Sequence, residues 1–274
     1  MTATCTICPH RCVLDEGYYG RCHVRINRNG VVESDRYGAY AALALDPIEK
    51  KPFARFHPGS KILSIGGYGC NLACCFCQNH TISQRSVPIG APTITPQALT
   101  NQALDLIPQG NIGIAFTYNE PFVSFEFVLD TARQAHTAGL KVALITNGYV
   151  NSEPLEAILP YVSAMNIDLK AFNDDFYQEF DGDIETVKRT IARCMKTCHV
   201  ELTTLIIPGE NDSLEEMDHL AQFIAELQDK TPLHISKFFP QYRLLNRPPT
   251  PVETIYELAD IARQHLKYVY VGNI

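Results

Sequence analysis

Along most of its length this chain alternates short apolar runs with longer amphipathic stretches, and no other feature restricts its fold as much. Runs of strand length fall near Leu63–Gly67, Ile112–Phe116, Lys141–Ile145, Ala164–Leu169, Val200–Ile207 and Leu233–Phe239, with a further short one at Tyr268–Val271. Between them, Pro121–Ala138 sets Phe122, Phe125, Val128, Leu129 and Ala132 at three- and four-residue intervals. Leu214–Leu227 does the same with Met217, Leu220, Phe223, Ile224 and Leu227. Apolar residues at that spacing share one face of a helix. Strands that alternate with helices imply a parallel sheet, because each crossover returns the chain to the same end.

Six such units are too few for an eight-stranded closed barrel. The expected fold class is therefore α/β, a partial (βα)6 TIM-like barrel with an N-terminal cysteine-containing lobe. Residues 1–60 show no alternation and form the expected lobe, and residues 61–274 form the expected core. The charged stretch Asp46 to Pro52 reads as a solvated loop, and Arg85–Pro96, with Pro88, Gly90 and Pro92 inside it, as a loop leading into a helix.

Active sites of parallel βα folds lie at the C-terminal ends of the strands. In this chain those positions carry Cys70 to Cys77, Thr117-Tyr118-Asn119-Glu120, Thr146-Asn147-Gly148 and Asp168-Leu169-Lys170. The first is a CxxxCxxC run. Cys70, Cys74 and Cys77 supply three thiols within eight residues, and a four-iron cluster held by three thiolates keeps one iron free for another ligand. Zinc sites usually pair two CxxC knuckles or add histidines, and the only histidine nearby is His80. Cys75 cannot chelate beside both Cys74 and Cys77, so it is expected to be a bystander facing the interior.

A second constellation, Cys5-x2-Cys8-x3-Cys12-x9-Cys22, places four thiols in eighteen residues with His10 and His23 interleaved. It suits a closed metal site, zinc or a second iron–sulfur cluster, or else free structural thiols. Its spacing is not that of a ferredoxin. Cys194 and Cys198, four apart, are expected to be packing residues.

With 46% apolar and 19% charged residues the chain has ample material for a core, and no run approaches the length of a membrane span. A net charge of −7 gives no electrostatic footprint for nucleic acid or an anionic membrane. Its start, Met-Thr-Ala-Thr-Cys, has neither a basic region nor an apolar run, so a cytoplasmic location is expected. In a reducing compartment the ten cysteines serve as ligands or free thiols rather than disulfides.

The cysteine loop, following the apolar run Ile62-Leu63-Ser64-Ile65, resembles the signature of the radical S-adenosylmethionine (radical SAM) superfamily. The resemblance implies a 4Fe–4S cluster that, given an electron from an external flavodoxin- or ferredoxin-like donor, cleaves S-adenosylmethionine to methionine and a 5′-deoxyadenosyl radical. That radical would take hydrogen from a substrate, which can be a protein. Glu120 and its turn stand where the superfamily has a glycine-rich GGE-type motif, with Tyr118 and Asn119 replacing glycines; they imply contacts to the ammonium of the cofactor, although Asn-Glu-Pro also suits a helix start. Thr146 and Asn147, with Asp168 and Lys170, match positions that in glycyl-radical activases lie near ribose, carboxylate and sometimes a monovalent cation. Ile145 here replaces an acid and Asn166 an apolar residue. Without the resemblance, Asp168 and Lys170 read as an ion pair on one face of a strand end. Phe76 resembles the aromatic that packs near adenine and equally suits the core.

Further stretches are similar to the radical SAM member of the AmmeMemoRadiSam system, itself similar to pyruvate formate-lyase activating enzymes. They are Cys5-Thr6-Ile7-Cys8-Pro9-His10-Arg11-Cys12, Asp46-Pro47-Ile48-Glu49-Lys50-Lys51-Pro52, Ser64-Ile65-Gly66, Cys77-Gln78-Asn79, Thr203 to Asp212, Phe238-Phe239-Pro240 and Tyr268 to Asn273. This resemblance implies Memo-type and Amme-type partner proteins, or a glycyl radical enzyme as partner. Members commonly continue past the Gly-Asn end with a cysteine-bearing tail, and this chain stops at Ile274. The reading from another class is an iron–sulfur electron-transfer or binding protein, which needs no second polar cofactor site.

Overall fold

The computed structural model describes residues 1–274. Two small antiparallel ladders open the chain: β1 (Ala3–Thr4) with β2 (Val13–Leu14), and β3 (Arg25–Arg28) with β4 (Val31–Ser34). Eight strands then make one open sheet, in chain order from edge to edge. They are β5 (Ala42–Pro47), β6 (Lys61–Gly66), β7 (Asn111–Phe116), β8 (Lys141–Thr146), β9 (Ala164–Asp168), β10 (His199–Ile206), β11 (Leu233–Lys237) and β12 (Val269–Gly272). β5 is antiparallel to β6, and every other pairing is parallel. No helix is long and apolar enough to cross a membrane.

Helices join the parallel strands, and several start at side-chain caps. Thr95 accepts from Ala98 N, Asp183 from Thr186 N and Ser213 from Glu216 N, each satisfying an amide that the first turn would leave unpaired. The expected helix from Pro121 begins with a 3-10 turn, Pro121–Ser124, before the α-helix Phe125–Thr137. The helices cover one face of the sheet, where Leu63, Ile65, Ile114, Phe116, Val142, Leu144, Met165, Ile167 and Leu202 are buried. At roughly 1.5–3 kcal/mol for each buried aliphatic or aromatic side chain, this face carries most of the hydrophobic stabilisation. Cys194 packs in the same core, and its thiol meets Met165 Sδ at 3.4 Å.

The opposite face is shaped by what the side chains leave out. Register aligns Ser64, Ala115, Ala143 and Ala164 in one row across β6, β7, β8 and β9. Small residues there make a seat, and Ile48, Phe53 and Phe56 pack into it with Ile62. Residues 48–57 thus form a strap across this face. Its backbone is held by Glu201 of β10, whose side chain is fully buried. The carboxylate accepts from Ala54 N at 2.8 Å, Arg55 N at 2.8 Å and Phe56 N at 3.2 Å, and meets His199 and His234 Nε2 at 2.9 and 2.7 Å. Asn166 donates to Pro52 O at 2.8 Å beside it.

Two expectations change. The lobe does not extend to residue 60, because β5 joins the main sheet and the strap joins its core. Asp46 to Pro52 is not a solvated loop: Asp46 is 9% exposed and Lys51 3%. Lys51 Nζ lies 2.9 Å from Asp46 Oδ2, and Tyr118 OH donates to the same oxygen at 2.7 Å, so these charges neutralise one another out of water.

Burial alone would raise the Glu201 carboxyl, yet its histidine and amide partners outweigh it and hold the pKa at about 2 instead of the usual 4.5. A depressed carboxylate contributes stability above its unfolded pKa and loses it as pH falls toward the folded one. Urea denaturation should show this contribution intact at neutral pH and declining between pH 4.5 and about 2. Glu201→Ala, which strands three amides and two imidazoles, is expected to cost about 3–5 kcal/mol at neutral pH.

Candidate active site

Beyond the strap, the C-terminal ends of the strands surround a cavity of about 910 Å³. All three cysteines of the CxxxCxxC run line it, as do Phe76, Asn119, Glu120, Thr146, Asn147, Asp168 and Lys170. Residues from four separate strand ends, those of β6, β7, β8 and β9, are therefore brought together. Cys75 does not line the cavity; it is half-buried, and its carbonyl accepts from Arg243 N at 2.9 Å.

The loop carrying the cysteines is fixed by side chains from neighbouring strands. Asn119 Oδ1 accepts from Gly67 N at 2.8 Å, while its Nδ2 donates to Tyr68 O at 2.9 Å and Gly69 O at 3.1 Å. Gly69 has φ +76°, and a side chain there would meet Cys22 O, so only glycine fits. After Cys70, Asn71 Nδ2 donates to Tyr149 O at 2.6 Å and its Oδ1 accepts from Asn147 Nδ2 at 2.9 Å. Leu72 N donates to Cys70 Sγ at 3.4 Å.

Burial pushes the Cys74 thiol up to about 12 and raises Cys70 strongly as well. A bare thiolate is thus disfavoured here, and a metal cation is what would stabilise it. Three thiols with no histidine among them suit an iron–sulfur cluster in which each thiolate meets a different iron.

Glu120 is 2% exposed, and its carboxylate already has partners. Thr146 Oγ1 donates to it at 2.8 and 3.0 Å, Asn147 N at 2.9 Å and Phe122 N at 3.1 Å. Burial raises its pKa to about 7 against these hydrogen bonds, with the nearby Asp168 adding to the rise. The bond from Phe122 N makes Glu120 the cap of the 3-10 turn. The helix-start role and a place in the cavity wall are therefore combined in one side chain.

Lys170 Nζ lies 2.8 Å from Asp168 Oδ2. Burial opposes the ammonium, but Asp168 and the thiol of Cys74 outweigh it and hold Lys170 above the ordinary lysine value. Phe76 stacks on Phe176 and meets Phe180 edge-on, with ring centroids 5.9 and 5.8 Å apart, so it serves the core while lining the cavity.

Asp168 continues into a register row across four strands with Thr203, His234 and Tyr270, none of which was singled out in the sequence as a site residue. His234 and Tyr270 are stacked at 5.3 Å. Lys51 completes this side from the strap. The one sequence signal for the strap is the set Ile48, Phe53 and Phe56 interleaved among charges.

A family model for the radical SAM superfamily matches residues 64–224, and the chain belongs to that superfamily. It is an enzyme of a class that uses a 4Fe–4S cluster and S-adenosylmethionine. An uncharacterized protein of Methanocaldococcus jannaschii is 42% identical over 282 residues, spanning 98% of this chain and 81% of that one. The pyruvate formate-lyase-activating enzyme of Clostridium pasteurianum is 24% identical over 166 residues, 59% of this chain and 68% of that one. Among solved structures, a radical SAM methyltransferase from Sphaerobacter thermophilus shares the fold with a TM-score of 0.58 at 18% identity, covering 79% of this chain and 67% of that one.

Asn119→Ala should free the Gly67 amide and the Tyr68 and Gly69 carbonyls at once. The expected loss is about 1–3 kcal/mol, read by chemical denaturation, together with reduced iron retention after anaerobic gel filtration.

Proposed function

We propose that this chain cleaves S-adenosylmethionine reductively and uses the resulting 5′-deoxyadenosyl radical to abstract hydrogen from a substrate. The observation that carries the reading is the single cavity lined by Cys70, Cys74 and Cys77 together with the Glu120 network and the Asp168–Lys170 pair. Cys70, Cys74 and Cys77 would hold the 4Fe–4S cluster, leaving one iron for the cofactor's amino and carboxylate groups. When bound and reduced, that cluster supplies the electron that breaks the sulfonium bond.

The chain's own residues bind, orient and exclude water. Lys170 can receive a carboxylate and Asp168 a hydroxyl or ammonium, and both stand at the cavity wall beside Phe76, whose ring can pack against adenine. Glu120 acts with Thr146 and Asn147 as a fixed acceptor cluster, and Asn119 acts by holding the cysteine loop. The sheet serves as a partial (βα)6-type barrel, a reading supported by the strap that reaches from its β5–β6 edge to Glu201 on β10.

Relatives named as activating enzymes support a protein substrate such as a glycyl radical enzyme. The motif stretches from Cys5 to Asn273 support the AmmeMemoRadiSam assignment, with Memo-type and Amme-type proteins as partners and an external one-electron donor.

The test is anaerobic. Reconstituted protein with dithionite and S-adenosylmethionine is expected to release 5′-deoxyadenosine, and Cys74→Ala to release none. A cluster-loaded wild type that makes no more 5′-deoxyadenosine than Cys74→Ala would favour a plain electron carrier. Asp168→Asn should weaken cofactor binding by about tenfold, the worth of one charge-assisted contact, measured by equilibrium dialysis.

A further inference from the structure

The four N-terminal cysteines take no part in the cavity. Cys5, Cys8 and Cys22 are buried at 6%, 8% and 7% exposure, and Cys12 is half-buried. They are drawn together by the two small ladders: Cys5 N donates to Cys12 O at 2.9 Å, and the Cys12 side chain lies against Gly20, two residues before Cys22. Cys5, Cys8 and Cys22 lie close to one another.

Backbone amides are turned toward these sulfurs. Arg25 N donates to Cys22 Sγ at 3.4 Å with the Val24 amide beside it, and the His10 amide faces the Cys8 thiol. The amide two residues on thus serves Cys8 and Cys22 as Leu72 N serves Cys70. Such N–H groups favour an electron-rich, deprotonated sulfur, which is what a metal-bound thiolate presents. The turns that aim them put two non-glycine residues in the left-handed region, Arg11 at φ 41° and His23 at φ 62°. That conformation costs an ordinary residue roughly 1–2 kcal/mol.

A buried cation completes the picture. Arg25 is 4% exposed and bonds Glu126 through its two terminal nitrogens at 3.0 and 2.7 Å, as well as Val32 O at 2.8 Å. Its Nε, also buried, has no hydrogen-bond partner, while the guanidinium lies beside Cys5. The lobe's own ladders pair only two and four residues.

The lobe abuts the loop that carries Cys70, with His10 Nε2 against Asn71 O, a place that suits a redox-active cluster rather than a redox-inert zinc ion. We propose that Cys5, Cys8, Cys12 and Cys22 ligate a second iron–sulfur cluster, with no open iron. Asn71 joins it to the first: its carbonyl meets His10 Nε2 at 2.7 Å, its side chain faces Cys8, and Cys70 is its chain neighbour.

The experiment is iron, sulfide and zinc analysis of the anaerobically reconstituted full chain and its variants, with EPR after reduction. The Cys70/Cys74/Cys77→Ala variant should keep iron with matching sulfide and a cluster EPR signal. Cys8→Ala/Cys22→Ala should lose roughly one-third to one-half of the wild-type iron, as two or four irons depart. Iron falling to zero in the first variant, or zinc replacing iron and sulfide, overturns the proposal. Should that variant fail to fold, Mössbauer spectra of the wild type decide: a single cluster of about four irons per chain overturns it, and two distinguishable clusters sustain it. None of these readouts requires cleavage of S-adenosylmethionine, so the two proposals fail separately.

Discussion

A fully buried carboxylate is tolerable only when its surroundings replace the water it lost, and Glu201 meets that condition with three amides and two imidazoles. The amides belong to one short segment of strap and the imidazoles to β10 and β11. Satisfying the charge therefore fixes the strap against the sheet. Once it is fixed, Phe53 and Phe56 fill the seat over the alanine row, and the strand ends beyond them are left as a walled space.

Within that space, charge and shape are arranged by the same economy of partners. Glu120 is saturated by Thr146, Asn147 and Phe122, so it ties the ends of β7 and β8 together. Asp168 and Lys170 are paired with each other and remain at the cavity wall, where a zwitterionic ligand can exchange with each partner. The cysteine loop between them is immobilised from both sides, by Asn119 before Cys70 and by Asn147 after it. A reactive species formed there meets side chains that are already committed to fixed hydrogen bonds.

Much of this was legible in the sequence. Each expected strand lies within two residues of its observed start, because strands buried on both faces read as continuous apolar runs. The three cysteines, and the polar residues that follow β7, β8 and β9, were legible because the strand-end rule ties sequence position to place. The strap was not. Its apolar anchors are separated by Glu49, Lys50, Lys51 and Arg55, and its partner Glu201 lies about 150 residues on, so neither periodicity nor local charge reveals the contact. Lys51 looked solvent-bound for the same reason, and its burial depends on Asp46 and on Tyr118 from another strand. His234 was not singled out, and Tyr270 was read only within a family-like stretch, because register rather than any motif sets the two side by side.

The alanine row carries a consequence for how such a site can diversify. Ala115, Ala143 and Ala164 touch no part of the cavity, yet their lack of bulk decides how deeply Phe53 and the strap sink toward the sheet. Each added methyl group beneath the strap would lift the floor of the chamber from behind, leaving every residue of the wall unchanged. Depth, and with it the length of molecule that fits between floor and cluster loop, is a quantity this fold can adjust independently of the groups that perform chemistry.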